Sequence, residues 1–229
     1  MSSATVAEVR DLNVGYDGRT IVRNISFDLE PGRALLIMGH NGCGKTTLLR
    51  TLFATQAPLA GSARLLDVDV RKSDPHDLLQ AGVRFLGQGV RSFDELSVGA
   101  HRAVLHKLYG WPQRQRDTAM SATPDSRTMG LLSLGKRRIE ALELLRSGTP
   151  RLMLLDEPTA GLDAGAAARV LQWIVAARAE GIAFIVVEHN FRILLKVMDS
   201  ALVIRNGSVR YAGAAAPLLD SGVLADRFM

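Results

Sequence analysis

The feature that most constrains the fold of this chain is a glycine-rich segment at residues 39–46, which follows a short, entirely apolar run at 34–38. The segment fits the pattern G-x-x-x-x-G-K-[ST], with every fixed position filled. The apolar run predicts a strand buried on both faces, and a helix is expected from 45 to about 54. In such an arrangement the backbone N–H groups of the loop and the positive end of the helix point at one phosphate. The sequence therefore predicts a phosphate-binding loop.

The side chains of this loop predict magnesium-dependent binding of a nucleoside triphosphate. Lys45 is expected to reach the β- and γ-phosphates, and the Thr46 hydroxyl is expected to ligate Mg²⁺. Cys43 occupies a variable position of the pattern, where it is expected to be a small loop residue. The residues predicted to contact the nucleotide here are Gly39, His40, Asn41, Gly42, Cys43, Gly44, Lys45, Thr46 and Thr47.

A second apolar run, at 152–155, ends in the two acidic residues Asp156 and Glu157. A buried strand would deliver Asp156 beside the phosphate-binding loop, where its carboxylate can hold Mg²⁺ directly or through water. Glu157 is then placed to polarise the attacking water as a general base. Together with Lys45, these two residues predict an enzyme that hydrolyses the terminal phosphate of a nucleoside triphosphate.

Apolar strands alternate with helical segments after residue 34, which is typical of a mainly parallel sheet flanked by helices. Strands are predicted at 34–38, 83–86, 152–155, 182–187 and 201–204, and helices at 45–54, 75–80, 97–108, 135–146, 164–179 and 191–197. Asp74 and Asp163 are expected to cap helices, and Asn206-Gly207 to turn a hairpin. Before residue 30, a period of two predicts an N-terminal antiparallel β subdomain. We therefore predict one α/β domain over residues 1–229, with a helical lobe inserted at about 97–147.

Composition excludes several classes of protein. With 47% apolar and 22% charged residues, the chain is expected to be globular rather than disordered or fibrous. Its apolar runs are shorter than the roughly 18 residues of a membrane helix, and its N-terminal residues lack a secretory signal pattern. The single cysteine excludes an internal disulfide. A net charge of +5 permits contact with nucleic acid or an anionic membrane surface but requires neither.

With these motifs in this order, the chain resembles the ATP-binding-cassette (ABC) ATPases, the nucleotide-binding subunits of ABC transporters, from about residue 9 to 219. The resemblance implies a P-loop NTPase fold of the ABC type, with ATP and Mg²⁺ as cofactors. It implies that Tyr16 stacks on adenine and that Gln88 senses Mg²⁺ and the γ-phosphate at the face of the membrane partner. It also implies that His189 contacts the γ-phosphate and that Asp163 belongs to the D-loop at the nucleotide. The catalytic residues implied are Glu157, His189, Lys45 and Gln88, and the metal-site residues are Thr46, Gln88 and Asp156.

The segment Leu132-Ser133-Leu134-Gly135-Lys136 occupies the position of the family's signature motif, which usually reads Leu-Ser-Gly-Gly-Gln. The resemblance implies that Ser133, Gly135 and the start of this helix contact the γ-phosphate of ATP held by the opposite subunit. Leu134 adds bulk where the family has glycine, and Lys136 adds a cation at a helix N-terminus, where it is unfavourable unless an anion binds. Either Lys136 replaces the lost contacts, or this chain is the weakly hydrolysing half of a heterodimer.

The resemblance implies that two such subunits close on two ATP molecules and drive transmembrane permease subunits. The chain is then expected in the cytoplasm, on the inner face of the cell membrane, held there by the permease and serving a substrate-binding protein indirectly. Within the family, the segments Gln88-Gly89, Leu96-Ser97-Val98, Thr159-Ala160-Gly161-Leu162-Asp163 and Val187-Glu188-His189-Asn190 resemble importers of branched-chain amino acids and urea-type solutes.

Several alternatives stay open at this point. The chain could be a soluble ABC-type ATPase that acts on nucleic acid or ribosomes, which its basic composition favours mildly. It could also be a cassette that binds ATP without hydrolysing it, although Glu157 and His189 are both present. The sequence does not determine the solute, the direction of transport, or whether the second ATPase subunit is identical.

Overall fold

A computed structural model describes residues 5–89, 94–109, 124–189 and 191–220 of the chain, and a ten-stranded sheet is its main element. The strands are β1 (Ala7–Tyr16), β2 (Arg19–Leu29), β3 (Ala34–Gly39), β4 (Ala60–Leu65), β5 (Val68–Asp69), β6 (Val83–Leu86), β7 (Leu152–Asp156), β8 (Ala183–Val187), β9 (Ser200–Arg205) and β10 (Ser208–Ala214). The α-helices are α1 (Lys45–Leu52), α2 (Pro75–Ala81), α3 (Val98–Tyr109), α4 (Leu134–Ser147) and α5 (Ala164–Ala179). The strand order is β5-β4-β1-β2-β10-β9-β3-β8-β7-β6.

The strands β9, β3, β8, β7 and β6 pair in parallel and form the centre of the molecule. Every residue of β3, β7 and β8 is buried, as their uniformly apolar sequences predict. Side chains that alternate along these strands divide the core into two apolar clusters, one on each face of the sheet. Because parallel strands end at the same edge, the residues that follow β3, β6, β7 and β8 meet there.

The first two strands form the predicted antiparallel pair, and β4 and β5 extend it on the other side of β1. The strands β4 and β5 are not predicted by the sequence pattern. In β4 only Ala63 and Leu65 are buried, so its polar sequence carries little of the alternation that marks a strand. The hairpin at Asn206-Gly207 is present between β9 and β10, with φ of 49° and 70°, as a type I′ turn requires.

The predicted helices are present at five of six places. Asp74 caps α2 in a capping box, and the Asp163 carboxylate accepts a hydrogen bond from the N–H of Ala166 at the start of α5. The helix predicted at 191–197 is wrong, because only a single 3-10 turn forms at Leu194–Lys196. The N–H of Asp199 pairs with the carbonyl of Ala34 immediately before β9, so this segment must lead directly into the sheet.

The predicted lobe contains α3, a 3-10 helix at Met129–Leu131 and α4. Its polar middle, at 110–123, lies outside the described residues. The backbones of Ser97 and Thr128 form an isolated bridge that closes the base of this segment. The described part of the lobe therefore stands beside β6, where α4 packs against the sheet and against α5.

Candidate nucleotide-binding and catalytic site

The loop between β3 and α1 packs so closely against neighbouring residues that some of its positions require glycine. Gly44 has φ of 101°, and a Cβ atom there would lie 2.3 Å from a methyl carbon of Val22. A Cβ atom on Gly39 would lie 2.4 Å from the carbonyl oxygen of Ile204. Any larger residue at either position would displace the loop, so the glycines fix its path across the end of the sheet.

The Lys45 side chain folds back and binds the backbone of this loop. Its Nζ donates to the carbonyl oxygens of Gly39 at 2.8 Å and of His40 at 2.9 Å, and only 5% of the residue is exposed. The cation is thus fixed at the mouth of the loop, beside the free N–H groups that begin α1. Burial raises the pKa of the neighbouring Cys43 thiol, which favours its protonated form.

Thr46 and Asp156 lie together, although 110 positions separate them in the chain. The Thr46 hydroxyl donates to Asp156 Oδ1 at 3.2 Å, because β7 ends at the same edge of the sheet as β3, from which only β8 separates it. Asp156 is only 1% exposed, and its Oδ2 has no hydrogen-bond partner among the described residues. Burial raises the pKa of Asp156, the hydrogen bond from Thr46 lowers it, and the net shift is upward.

An unpartnered, buried carboxylate oxygen beside a hydroxyl fits a hard divalent cation, whose preferred ligands are oxygen atoms. Thr46 and Asp156 are therefore the two residues here that could hold a magnesium ion. No cluster of three or more His, Cys, Asp or Glu side chains suited to a metal occurs within the ranges that the model describes. Phosphate and water oxygens would supply the remaining ligands, as is usual for Mg²⁺.

Glu157, Gln88 and His189 meet at the ends of three neighbouring strands. Gln88 Nε2 donates to Glu157 Oε2 at 3.1 Å, and His189 Nδ1 lies 3.5 Å from Glu157 Oε1. Glu157 has φ of 52°, which is uncommon for a residue with a side chain, and its N–H donates to the carbonyl of Val187. This strained turn directs the carboxylate toward the phosphate-binding loop. Backbone strain of this kind is common at functional sites.

A cavity of about 360 Å³ joins the phosphate-binding loop to Gln88 and Glu157, whereas Asp156 and His189 are not part of its lining. Its lining includes Tyr16, Asn41, Gly42, Gly44, Lys45, Thr46, Thr47, Gln88 and Glu157. Its volume lies within the range of small-molecule sites. The Tyr16 hydroxyl accepts a hydrogen bond from Thr47 Oγ1 at 3.3 Å, while 42% of Tyr16 is exposed, so one face of its ring is open to a planar base.

The segment predicted to contact a second nucleotide lies apart from this cavity. Ser133 caps α4 by accepting from the N–H of Lys136 at 3.5 Å, and Asp163 caps α5. A Cβ atom on Gly135 would lie 2.6 Å from the Cβ of Ala166, so only glycine permits α4 to approach α5 this closely. Leu134 is half-exposed, and its Cδ2 is 3.3 Å from the place where a Cβ atom of Gly161 would stand.

Two charged residues near the site were missed in the sequence. Glu188 and Arg138 are both fully buried, and Glu188 accepts hydrogen bonds from the hydroxyl and N–H of Thr159. An acid that directly follows an apolar strand was the same signal that identified Asp156, and it could have identified Glu188. Nothing in its local sequence distinguishes Arg138 from its basic neighbours.

A family model described as ABC transporter matches residues 22–160. The lipopolysaccharide export system ATP-binding protein LptB of Acidithiobacillus ferridurans is 28% identical over 93% of this chain and 92% of its own length. The Fe(3+) ions import ATP-binding protein FbpC 2 of Rhodococcus jostii is 31% identical over 94% of this chain and 64% of its own length. The ribose import ATP-binding protein RbsA of a Chelativorans species is 28% identical over 87% of this chain. The chain spans less than half the length of several such relatives, 41% in the case of RbsA.

Solved structures share the fold. The structure of an ATP binding subunit of an ABC transporter superimposes with a TM-score of 0.84 at 20% identity and covers 97% of this chain and 98% of its own. A nucleotide-free ATP-binding cassette from an ABC transporter gives a TM-score of 0.81, also at 20% identity, over 96% of this chain. Within the ranges described, no helix has the length and hydropathy to span a bilayer.

Proposed function

Because this chain belongs to the ABC transporter family, we propose that it binds and hydrolyses ATP to power the movement of a solute by membrane-spanning partner subunits. The predicted fold, a P-loop NTPase of the ABC type, is confirmed by the sheet order and by its likeness to cassette structures. We further propose that residues 1–229 act as one ATPase domain, with 97–147 as its helical lobe.

The observation that carries the proposal is the meeting of Gln88, Glu157 and His189 opposite the pair Thr46 and Asp156. A water molecule between Glu157 and the γ-phosphate would lose its proton to the Glu157 carboxylate as it attacks. Gln88 fixes the orientation of that carboxylate by its hydrogen bond. The half-exposed His189 ring would contact the γ-phosphate through its second nitrogen, since Nδ1 lies beside Glu157.

Binding is assigned to the loop and to the residues that follow it. Lys45 would exchange its two carbonyl acceptors for β- and γ-phosphate oxygens, and the loop N–H groups would hold the β-phosphate. Thr46 and Asp156 would hold Mg²⁺, which when bound offsets the negative charge of the phosphates. Tyr16 would cover one face of the adenine ring.

Replacing Glu157 by Gln tests this assignment. E157Q keeps the shape of the side chain and an acceptor for Gln88 but cannot take a proton, so we expect ATP affinity to stay within a few-fold of wild type and turnover to fall about 100-fold or more. Equilibrium binding and phosphate release measure the two quantities. E8Q, which changes an exposed acid on β1, is the matched control and should hydrolyse normally. Persistent turnover by E157Q would remove Glu157 from its role.

We also propose that two ATPase subunits enclose two ATP molecules, with Ser133, Gly135 and Lys136 of each facing the γ-phosphate held by the other. Asp163 in the D-loop would lie in the same interface. Ser133 and Asp163 cap the N-terminal ends of α4 and α5, whose positive dipole ends would meet the anion. The Leu134 side chain beside Gly161 stiffens this region relative to a glycine at that place.

ATP turnover by the isolated chain distinguishes an identical second ATPase subunit from a different one. If Lys136 replaces the contacts that the unusual signature lacks, the isolated chain should form an active homodimer. If the chain is the weak half of a heterodimer, turnover should require the second ATPase subunit. Measuring phosphate release with and without that subunit separates the two proposals, because full turnover by the isolated chain excludes the second.

The permease is proposed to dock on the lobe. A largely apolar cavity of about 670 Å³ opens between α3, α4 and the sheet, and its lining includes Gln88, Val104 and Leu105. Val104 and Leu108 also leave apolar surface exposed on α3, which a partner could cover. Docking there would hold the chain on the inner face of the cell membrane and connect the partner with the Gln88 side chain.

We propose amino acids, urea or a similar small solute as cargo, imported with the help of a substrate-binding protein. The support is the set of segments around Gln88, Ser97, Gly161 and His189 that resemble such importers, while Asn190 lies outside the described residues. The relatives named above serve lipopolysaccharide, iron and ribose, and these cargoes belong to those proteins. Transport by proteoliposomes containing the chain and its permease, offered leucine, urea and ribose in turn, tests the proposal.

The net charge of +5 favours one other function, action on nucleic acid or ribosomes. Titrating the chain with duplex DNA at several salt concentrations tests it. A steep decline of affinity with salt would indicate many phosphate contacts and favour this alternative, whereas weak binding with a shallow salt dependence would favour transport.

A further inference from the structure

The turn that leads into the signature segment (residues 132–136) is fixed to a neighbouring stretch of the chain. The N–H of Gly130 donates to the carbonyl of Asp94 at 2.9 Å, and the N–H of Met129 donates to that of Leu96 at 3.0 Å. A Cβ atom on Gly130 would stand 2.8 Å from the Asp94 carbonyl oxygen, so this close approach requires glycine. The backbone just before the signature segment therefore has a fixed support.

The Arg137 side chain joins the two ends of the signature segment. Arg137 stands in the first turn of α4, directly after Lys136, and its Nη2 donates to the carbonyl oxygen of Gly130 at 3.2 Å. Its Nη1 lies 3.3 Å from Asp94 Oδ1, so the same guanidinium also pairs with a carboxylate of the supporting stretch. One side chain thus connects the residues before and after the segment.

A cation is unfavourable at this place in the structure. The helix dipole opposes a positive charge in the first turn, and the Arg137 side chain is only 22% exposed. Its Nε is buried and has no hydrogen-bond partner among the described residues. The cap of the helix adds little restraint, because Ser133 Oγ accepts from the N–H of Lys136 at 3.5 Å, which is longer than is usual for such a bond. The contacts of Arg137 therefore restrain the segment more than its own cap does.

We infer that Arg137 is a positioning residue for ATP hydrolysis, which holds Ser133 and Gly135 where they meet the γ-phosphate of the opposite subunit, and that Asp94 fixes Arg137 in this role. The inference rests on the proposed function, in which the signature segment completes the site of the other subunit. A displacement of about 1 Å in such a contact can lower the rate about 100-fold. Arg137 touches no nucleotide in its own subunit, so its loss should affect the pairing of subunits and turnover rather than the binding of ATP by one subunit.

The first measurement is the association of two subunits in the E157Q background, where bound ATP is not hydrolysed. Sedimentation of E157Q and of E157Q/R137M in MgATP, over a range of protein concentrations, gives the dissociation constant of the pair. We expect R137M to raise this constant about 10-fold or more. The affinity of one subunit for ATP, measured at protein concentrations where the subunits stay apart, should change by less than about twofold.

The second measurement is steady-state phosphate release with Glu157 intact. R137M should lower kcat about 10- to 100-fold. D94N should lower kcat less, by about 3- to 10-fold, because Arg137 keeps its bond to the carbonyl of Gly130. If Asp94 acts only through Arg137, kcat of the double variant R137M/D94N should lie within about twofold of that of R137M.

The matched control is R102M. Arg102 in α3 pairs with Asp125 at 3.2 Å in the same lobe. The side chains of this pair are 16% and 54% exposed, close to the 22% and 59% of Arg137 and Asp94. R102M and R137M should therefore lower Tm by similar amounts, about 2–4 °C. Only R137M should also lower kcat and weaken the association of subunits.

The inference is overturned if R137M lowers Tm but changes kcat and association by less than about twofold, or if R102M lowers kcat as much as R137M does. Losses of kcat that multiply in R137M/D94N would remove Asp94 from its role. If R137M does not fold, D94N makes the same test, because it leaves Arg137 in place. If E157Q does not associate in MgATP, alone or with the second ATPase subunit, the proposed enclosure of two ATP molecules fails, and the inference fails with it.

Discussion

Replacing Asp156 by Asn should stabilise the nucleotide-free protein and abolish its response to magnesium. Asp156 is buried, and its Oδ2 has no hydrogen-bond partner among the described residues. Leaving a buried polar atom unsatisfied costs about 1–3 kcal/mol and more when the group is charged, so a neutral amide of the same shape costs less than the carboxylate. The Asn side chain keeps an oxygen that can accept from Thr46. We therefore expect a gain of about 1 kcal/mol, which raises Tm by about 2–4 °C in a chain of this size.

The pH dependence of this gain has a definite sign. The pKa of Asp156 is raised above 3.8 in the folded protein, so its contribution favours folding at low pH and is lost as pH rises through the folded pKa. D156N lacks this titration. The difference in Tm between D156N and wild type should therefore be largest near neutral pH, and it should shrink toward zero as pH falls toward 4.

The assay is thermal unfolding in EDTA, in ATP with EDTA, and in ATP with Mg²⁺. At about 100 times Kd a ligand stabilises by about 2.7 kcal/mol, so MgATP should raise the Tm of wild type by about 5–11 °C. D156N should lose the part of this rise that requires Mg²⁺. The reasoning is refuted if D156N has a lower Tm than wild type in EDTA, or if it keeps the full magnesium-dependent rise.

Three further predictions concern the sheet, the helix contact and the base. D199N should lower Tm at pH 7. Burial raises the pKa of Asp199, but the N–H of Ala34 and two arginines lower it more, so the ionised carboxylate stabilises the folded protein. This stabilisation is lost below about pH 4, where the Tm values of wild type and D199N should converge. G135A should lower the free energy of unfolding by about 1–3 kcal/mol in urea titrations, because its Cβ would stand 2.6 Å from that of Ala166. Y16A should weaken ATP binding about 2- to 13-fold by calorimetry and leave binding of inorganic tripolyphosphate unchanged; equal losses for both ligands would contradict stacking.

Local sequence was sufficient for the parts of the site that depend on consecutive residues. The glycines, Lys45 and Thr46 act through the backbone path of one loop, so their spacing alone predicts a phosphate cradle. Asp156 was predictable because a buried strand ends at a known edge of a parallel sheet. The helix predicted at 191–197 was wrong because the same seven residues also connect the chain to β9. The spacing of apolar residues gives no sign of this connection.

Patterns in the chain therefore predict the phosphate-binding loop, the acids at the strand ends and most of the helices and strands, with β4, β5 and the segment 191–197 as exceptions. Contacts between distant segments bring Gln88 and His189 to Glu157 and leave Asp156 Oδ2 without a partner among the described residues, and no pattern in the chain predicts either result. A loop motif works through residues that are adjacent in the chain, so its spacing is visible in the sequence. The cost of a buried charge, by contrast, depends on atoms that approach through the fold from distant parts of the chain.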